Sequence, residues 1–116
     1  MPTLVPHARR AELCAAYPIT AQRTLEFHAR VALVFTAPPT RFMFFVTELQ
    51  AESDDLVLFG YCLSPLTPDA DAWTVRRLSE LENVRLRNLR VQTAAIPPGA
   101  YTVRELLDRG EAAGAP

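Results

Sequence analysis

Few residues in this chain could move a proton or attack a carbonyl group. The histidines are His7 and His28, and the cysteines are Cys14 and Cys62. Nucleophilic catalysis needs a nucleophile and a base, usually histidine, within hydrogen-bond reach. His7 falls in the first turn of an expected helix and His28 at the margin of an expected strand, so no catalytic residue is assigned. Cys62 lies beside Tyr61 in an aliphatic run, where a cysteine serves as a small buried hydrophobe rather than a reactive thiol. The scattered His and Cys residues lack zinc spacing. Asp54-Asp55 and Asp69-x-Asp71 could offer oxygens to a hard cation, yet no EF-hand pattern surrounds them, and they read as solvated turn residues. Gly60, Gly99, Gly110 and Gly114 are too dispersed to form a phosphate-cradling loop. Neither a metal nor a cofactor is expected. An enzyme or small-ligand domain would instead need a pocket between helix and sheet where His28, Glu26 or Glu48 converge.

Two chemistries of binding remain. All twelve basic residues are arginine, and Arg76, Arg77, Arg85, Arg87 and Arg90 fall within fifteen positions. On a strand, Arg85 and Arg87 would share a face able to meet phosphates. Against that, the net charge of the chain is −1, so no overall field draws in nucleic acid or an anionic membrane. The other chemistry is apolar. Phe45, Phe59, Tyr61 and Trp73 are the candidates for contact with a protein partner or a second copy, for reasons set by the elements that carry them.

Those elements centre on residues 29–63, where three apolar runs are separated by Ala37-Pro38-Pro39-Thr40 and by Ala51-Glu52-Ser53-Asp54-Asp55. Strand formers bounded by turn formers predict an antiparallel meander. In the first strand, Arg30 to Thr36, Val31, Leu33 and Phe35 share one face and Ala32 and Val34 the other. In the second, Arg41 to Leu49, Phe42, Phe44 and Val46 oppose Met43, Phe45, Thr47 and Leu49. In the third, Leu56, Leu58 and Cys62 oppose Val57, Phe59, Tyr61 and Leu63. Both faces of the central strands are apolar, whereas a lone antiparallel sheet normally shows water one polar face. If helices cover only one side, Phe45, Tyr61 and their neighbours form a patch too large for a monomer.

The flanks supply helices. Leu4 to Tyr17 reads as the first, with Pro6 in its first turn and Pro18 ending it. Ile19 to His28 reads as a lead-in strand or an extended connection. Residues 65–72 form a loop, Trp73 to Leu78 a fourth strand, and Ser79 with Glu82 the capping box of a short helix. Arg85 to Ala95 is a possible fifth strand. Thr102 to Arg109 closes the chain as a helix with Thr102 and Glu105 as its capping box, Gly110 as its stop, and 110–116 as a frayed tail. The sum is one α+β domain over 1–116: an antiparallel meander of four to five strands, with an N-terminal and a C-terminal helix packed on the sheet. At 116 residues such a chain folds without disulfide or metal. No run reaches the ~20 apolar residues of a membrane span, and the N-terminus lacks the apolar core of a secretory signal, so a cytoplasmic protein with reduced thiols is expected.

The order of these pieces resembles a family of bacterial, plasmid and phage proteins, domain of unknown function 2958. The likeness runs through ELCAAY, VFTAPP, FMFFVTEL, LFGYCL, RLSELENV and, loosely, PPGAYTVREL. One departure is plain: where that family has tryptophans in the aromatic strand, this chain has Phe42 and Phe44, and its single Trp73 lies elsewhere. The resemblance implies a small α+β protein of mobile elements without an agreed catalytic set. Together these readings favour a non-enzymatic accessory protein that binds another protein. The alternatives are a nucleic-acid-binding module using Arg76 to Arg90, and a ligand-binding or enzymatic domain.

Overall fold

The long hairpin at the centre of the chain organises the rest. In the computed structural model, which describes residues 4–86 and 89–114, β2 (Met43–Glu52) and β3 (Asp55–Leu63) run antiparallel from Met43 opposite Leu63 to Glu52 opposite Asp55. Two residues, Ser53 and Asp54, turn the hairpin, with Ser53 in the left-handed region at φ 54°. β1 (Leu33–Thr36) pairs with β2, and β4 (Ala72–Arg77) pairs with β3. A fifth strand, β7 (Gln92–Thr93), returns to the far side of β1, so the sheet order is β4-β3-β2-β1-β7. β5 (Arg85–Leu86) and β6 (Leu89–Arg90) form a separate two-stranded hairpin. The run 85–95, read from sequence as one possible strand, is thus three short ones.

Three helices lie against this sheet. α1 (His7–Ala16) and α2 (Leu78–Asn83) cover one face, where Leu13, Leu33, Phe35, Phe44, Val46, Leu49, Leu56, Leu58, Leu78 and Leu81 are buried together. α3 (Val103–Gly114) covers the other, where Val31, Val34, Phe45, Val103 and Leu106 form a smaller core. The α+β meander with a helix at each end is therefore observed, and both faces of the sheet are apolar because both carry helices.

The faces depart from a strict period of two at one place. Between Val46 opposite Gly60 and Glu48 opposite Phe59 the register shifts, leaving Thr47 as the extra residue of a β-bulge. Beyond the bulge the alternation inverts. Leu49, expected beside Phe45, packs with Phe44 and Val46 instead. Val31 likewise joins Val34, and Ala32 joins Leu33, because β1 becomes a regular strand only at Leu33. The stretch 19–28 is neither strand nor extended link. Residues 23–28 form two 3-10 turns joined across a kink at Glu26 (φ 51°).

The caps were partly legible. Thr102 and Glu105 close a reciprocal capping box on α3, with Glu105 N–H donating to Thr102 Oγ1 at 3.1 Å and Thr102 N–H to Glu105 Oε1 at 3.0 Å. At α2 the expected pair does not form. Ser79 lies inside the helix, and its N–H and Oγ donate to the Asp55 carboxylate at 3.1 and 2.6 Å. Glu80, not Glu82, reaches back to the N–H of Arg77 at 3.0 Å. α1 begins at His7, with Pro6 as the capping residue just outside it. α3 runs through Gly110 to Gly114 rather than stopping there. Because the Thr102 hydroxyl satisfies a free N–H of the first turn, Thr102→Ala should lower stability by about 1 kcal/mol. A urea unfolding midpoint at neutral pH measures it, and an unchanged midpoint would show that the cap is idle.

Candidate groove on the α3 face

The smaller core leaves space beside it. Met43 and Phe45 of β2, Tyr61 and Leu63 of β3, and Leu106 and Leu107 of α3 line an open groove of about 860 Å³. Its floor is apolar because alternate residues of β2 and β3 put aromatic and aliphatic side chains on this face. α3 forms one wall. Pro39, Thr40 and Pro68 come from the loops at the ends of β1 and β3.

One end of the groove carries a fixed charge pair. Arg41 Nη1 and Nη2 donate to the two carboxylate oxygens of Asp71 at 2.7 and 2.9 Å, and Nη1 also donates to the carbonyl of Ser64. The N–H of Ser64 donates to Asp71 Oδ1 at 2.7 Å. Asp71, read from sequence as a solvated turn residue, is in fact the clip that ties the β3–β4 loop to the start of β2. The Arg41 hydrogen bond, against a smaller opposing effect of burial, holds the Asp71 carboxyl below its ordinary range. A carboxyl depressed in the folded state contributes stability above the unfolded value of about 3.9, and loses it as pH falls through the lower folded value. Asp71→Asn should therefore be less stable than the parent by about 1–2 kcal/mol at neutral pH. The gap should close at a pH well below about 3.9. Denaturant midpoints at the two pH values decide the matter, and a gap independent of pH would show that the charge is not used.

Beside the groove, toward β4, an aromatic cluster is half-buried. The rings of Phe27 and Tyr61 meet edge to face at 5.0 Å, Tyr61 and Trp73 at 5.4 Å, and Phe59 stacks on Trp73 at 5.6 Å with planes 10° apart. Arg23 lies over Phe59, 3.8 Å from the ring centroid, and Arg104 over Phe27 at 5.4 Å. Each pair of this kind adds about 0.5–1.5 kcal/mol beyond the area it buries. Phe27 was not a sequence candidate. It was hidden because the 3-10 turns that aim it at the sheet have no periodic signature.

The four protein-contact candidates therefore fare differently. Phe59, Tyr61 and Trp73 are gathered on one face and remain partly exposed. Phe45 is 1% exposed, sealed by Val103 and Leu106 of α3, and forms the groove's floor rather than a free surface. Val75 (54% exposed) and Leu25 (46%) are exposed apolar residues that sequence reading passed over.

The arginine candidates are not brought together as one face. Arg76 and Arg77 are neighbours on β4, so they point to opposite sides of the sheet. Arg77 is engaged by Glu52 in an ion pair. Arg90 is exposed, and the register of the small hairpin sets it opposite Arg85. Arg87 lies outside the described residues.

His28, Glu26 and Glu48, the residues named for a pocket between helix and sheet, do not converge. Glu48 is fully buried, and its carboxylate accepts the N–H groups of Thr20 and Gln22 at 2.8 and 3.1 Å and Arg23 Nη2 at 2.8 Å. Its oxygens are consumed in tethering the 3-10 segment to β2. His28 and Glu26 are exposed on that segment and do not converge with it. Cys14 and Cys62 are free thiols, half-buried beside the larger core, and desolvation raises both above the ordinary thiol value. That is the opposite of an activated nucleophile. Among the described residues no three His, Cys, Asp or Glu side chains cluster as a metal site would require.

Fold and site together define a small α+β protein whose distinguishing feature is an open groove with an apolar floor and a charged rim, beside a cluster of aromatic rings. No family model, curated protein or solved structure matches the chain. No helix among the described residues is long and apolar enough to cross a membrane.

Proposed function

We propose that this chain is a non-enzymatic accessory protein that acts in the cytoplasm by binding another protein through the α3 face of its sheet. The observation that carries the reading is the groove itself: an open trough with an apolar floor and a charged rim, lined by half-exposed Tyr61, against which Trp73 and then Phe59 are packed. Aromatic anchors around an apolar centre are the composition of protein contact sites. Glu48, named for an enzymatic pocket, and Asp71, named as a possible cation ligand, are both committed to structural bonds. The resemblance to domain of unknown function 2958 supports placing the chain among the accessory proteins of mobile elements, where interference with a host or competitor system is one role.

The test is comparative capture from lysate with and without nuclease treatment. Parent chain, Leu107→Arg and Arg90→Glu are used as baits. Leu107 lines the groove, and Arg90 is exposed on the small hairpin. A protein held by the parent and by Arg90→Glu but lost by Leu107→Arg is the expected result. Recovery that vanishes with nuclease, or with Arg90→Glu alone, would transfer the function to nucleic-acid binding through the arginine segment. Equal recovery by all three baits would remove the groove from the account.

A further inference from the structure

The sheet has two outer strands, and they are finished differently. β7 is two residues long, and Thr93 Oγ1 donates to the carbonyl of Leu4 at 2.6 Å, so the chain's beginning is fastened at that margin. A strand so short offers little ladder to a newcomer. β4 is six residues long and pairs with β3 from Ala72 to Arg77 without a bulge. Among the described residues, no backbone hydrogen bond from another segment reaches its outer side. It contains no proline, and its two charges sit on the sheet faces rather than along the edge. An antiparallel strand turns the N–H and C=O of every second residue outward; the N–H of Arg77 is taken by Glu80, so the donors and acceptors β4 leaves unmet are those of Trp73 and Val75. Another extended chain is what satisfies them.

β4 is complementary to itself. A two-fold axis perpendicular to the sheet joins two such strands antiparallel and keeps each face on its own side. Residues can then meet only within the set Trp73, Val75, Arg77 or within the set Ala72, Thr74, Arg76. With Thr74 on the axis, Trp73 faces Val75 of the copy, Ala72 faces Arg76, and Asp71 faces Arg77. With Val75 on the axis, Trp73 faces Arg77 and Thr74 faces Arg76. Neither register sets arginine against arginine. The second sets a cation beside an indole. Both cover Val75, the large hydrophobic side chain of this strand that is left 54% exposed.

We infer that two copies of this chain pair antiparallel through β4, joining their five-stranded sheets into one continuous sheet. This contact is independent of the groove, and its test uses purified chain with no other protein present. One strand pair and a few side chains bury less than the roughly 1,200 Å² of a standard interface, so dissociation falls in the range of about 10–100 μM.

Sedimentation of the purified full chain between about 5 μM and about 1 mM should show the mass rising from 12.9 kDa toward twice that value. A monomer throughout would overturn the inference. Val75→Pro removes an outward N–H that both registers use, at an edge position where proline costs the monomer little, and should weaken the dimer at least about tenfold. A variant that dimerises as tightly as the parent would also overturn the inference. The parent chain supplies a check that needs no substitution. Amide hydrogen exchange along Ala72–Arg77 should slow with concentration while Gln92–Thr93 stays unchanged. Mass doubling without added protection in β4 would assign the dimer to another surface.

Discussion

Gly60→Ala is expected to be among the most damaging substitutions in the sheet, costing upward of about 3 kcal/mol. A Cβ built at Gly60 would lie 2.0 Å from the carbonyl oxygen of Phe45 and 2.9 Å from the Cα of Val46. Both atoms are backbone, so no side chain can swing aside. Gly60 faces Val46 at the bulge. A β-carbon there must push the two central strands apart and loosen both cores at once. For a domain held together by about 5–15 kcal/mol, that is a large share. The melting temperature should fall by more than about 12 °C, given about 4–8 °C per kcal/mol for a domain of this size. A variant that melts within a few degrees of the parent would show that the hairpin is not packed as described.

Glu48→Ala should cost on the order of 2–4 kcal/mol for a different reason, because two part-buried N–H groups lose their acceptor while the half-exposed Arg23 turns to water. The substitution leaves the N–H groups of Thr20 and Gln22 without their acceptor and Arg23 without its anion. Arg23 is the cation that lies over Phe59, so the aromatic cluster should loosen with it. Glu48→Gln separates shape from charge. Its amide keeps one acceptor, yet offers a donor where a second N–H must be received, so it should fall between alanine and the parent. Denaturant unfolding of the three proteins gives the order, and near-ultraviolet dichroism reports the packing of Trp73. An alanine variant within about 1 kcal/mol of the parent would contradict the role given to this carboxylate.

These two positions also mark where sequence reading succeeded and where it stopped. The strands were legible because Val, Leu and Phe recur in short runs between turn formers, and the Thr102–Glu105 cap because its spacing is local. The bulge was not, since strict alternation carries Leu49 to the wrong face. Two signals were present: a glycine inside the strand LVLFGYCL, and a carboxylate inside the otherwise apolar FMFFVTEL. A buried charge in a strand demands partners, and those partners, Thr20, Gln22 and Arg23, lie more than twenty residues away. No local pattern announces them. The same holds for Asp55, which caps α2 from across the sheet, and for Asp71, whose partner Arg41 lies thirty positions earlier. The aromatic candidates were legible as residue types. Their grouping was not, because it depends on Phe27 and on where α3 lies.

The central claim is that the α3 face is the surface this protein uses. Its most direct test places a photo-crosslinking amino acid at Leu107 in the groove, and in a parallel sample at Arg9, exposed on α1 across the sheet. Irradiated in its native cells, the chain is predicted to form a discrete adduct with another protein from position 107 and none from position 9. Adducts of the same protein from both positions, or from position 9 alone, would contradict the claim.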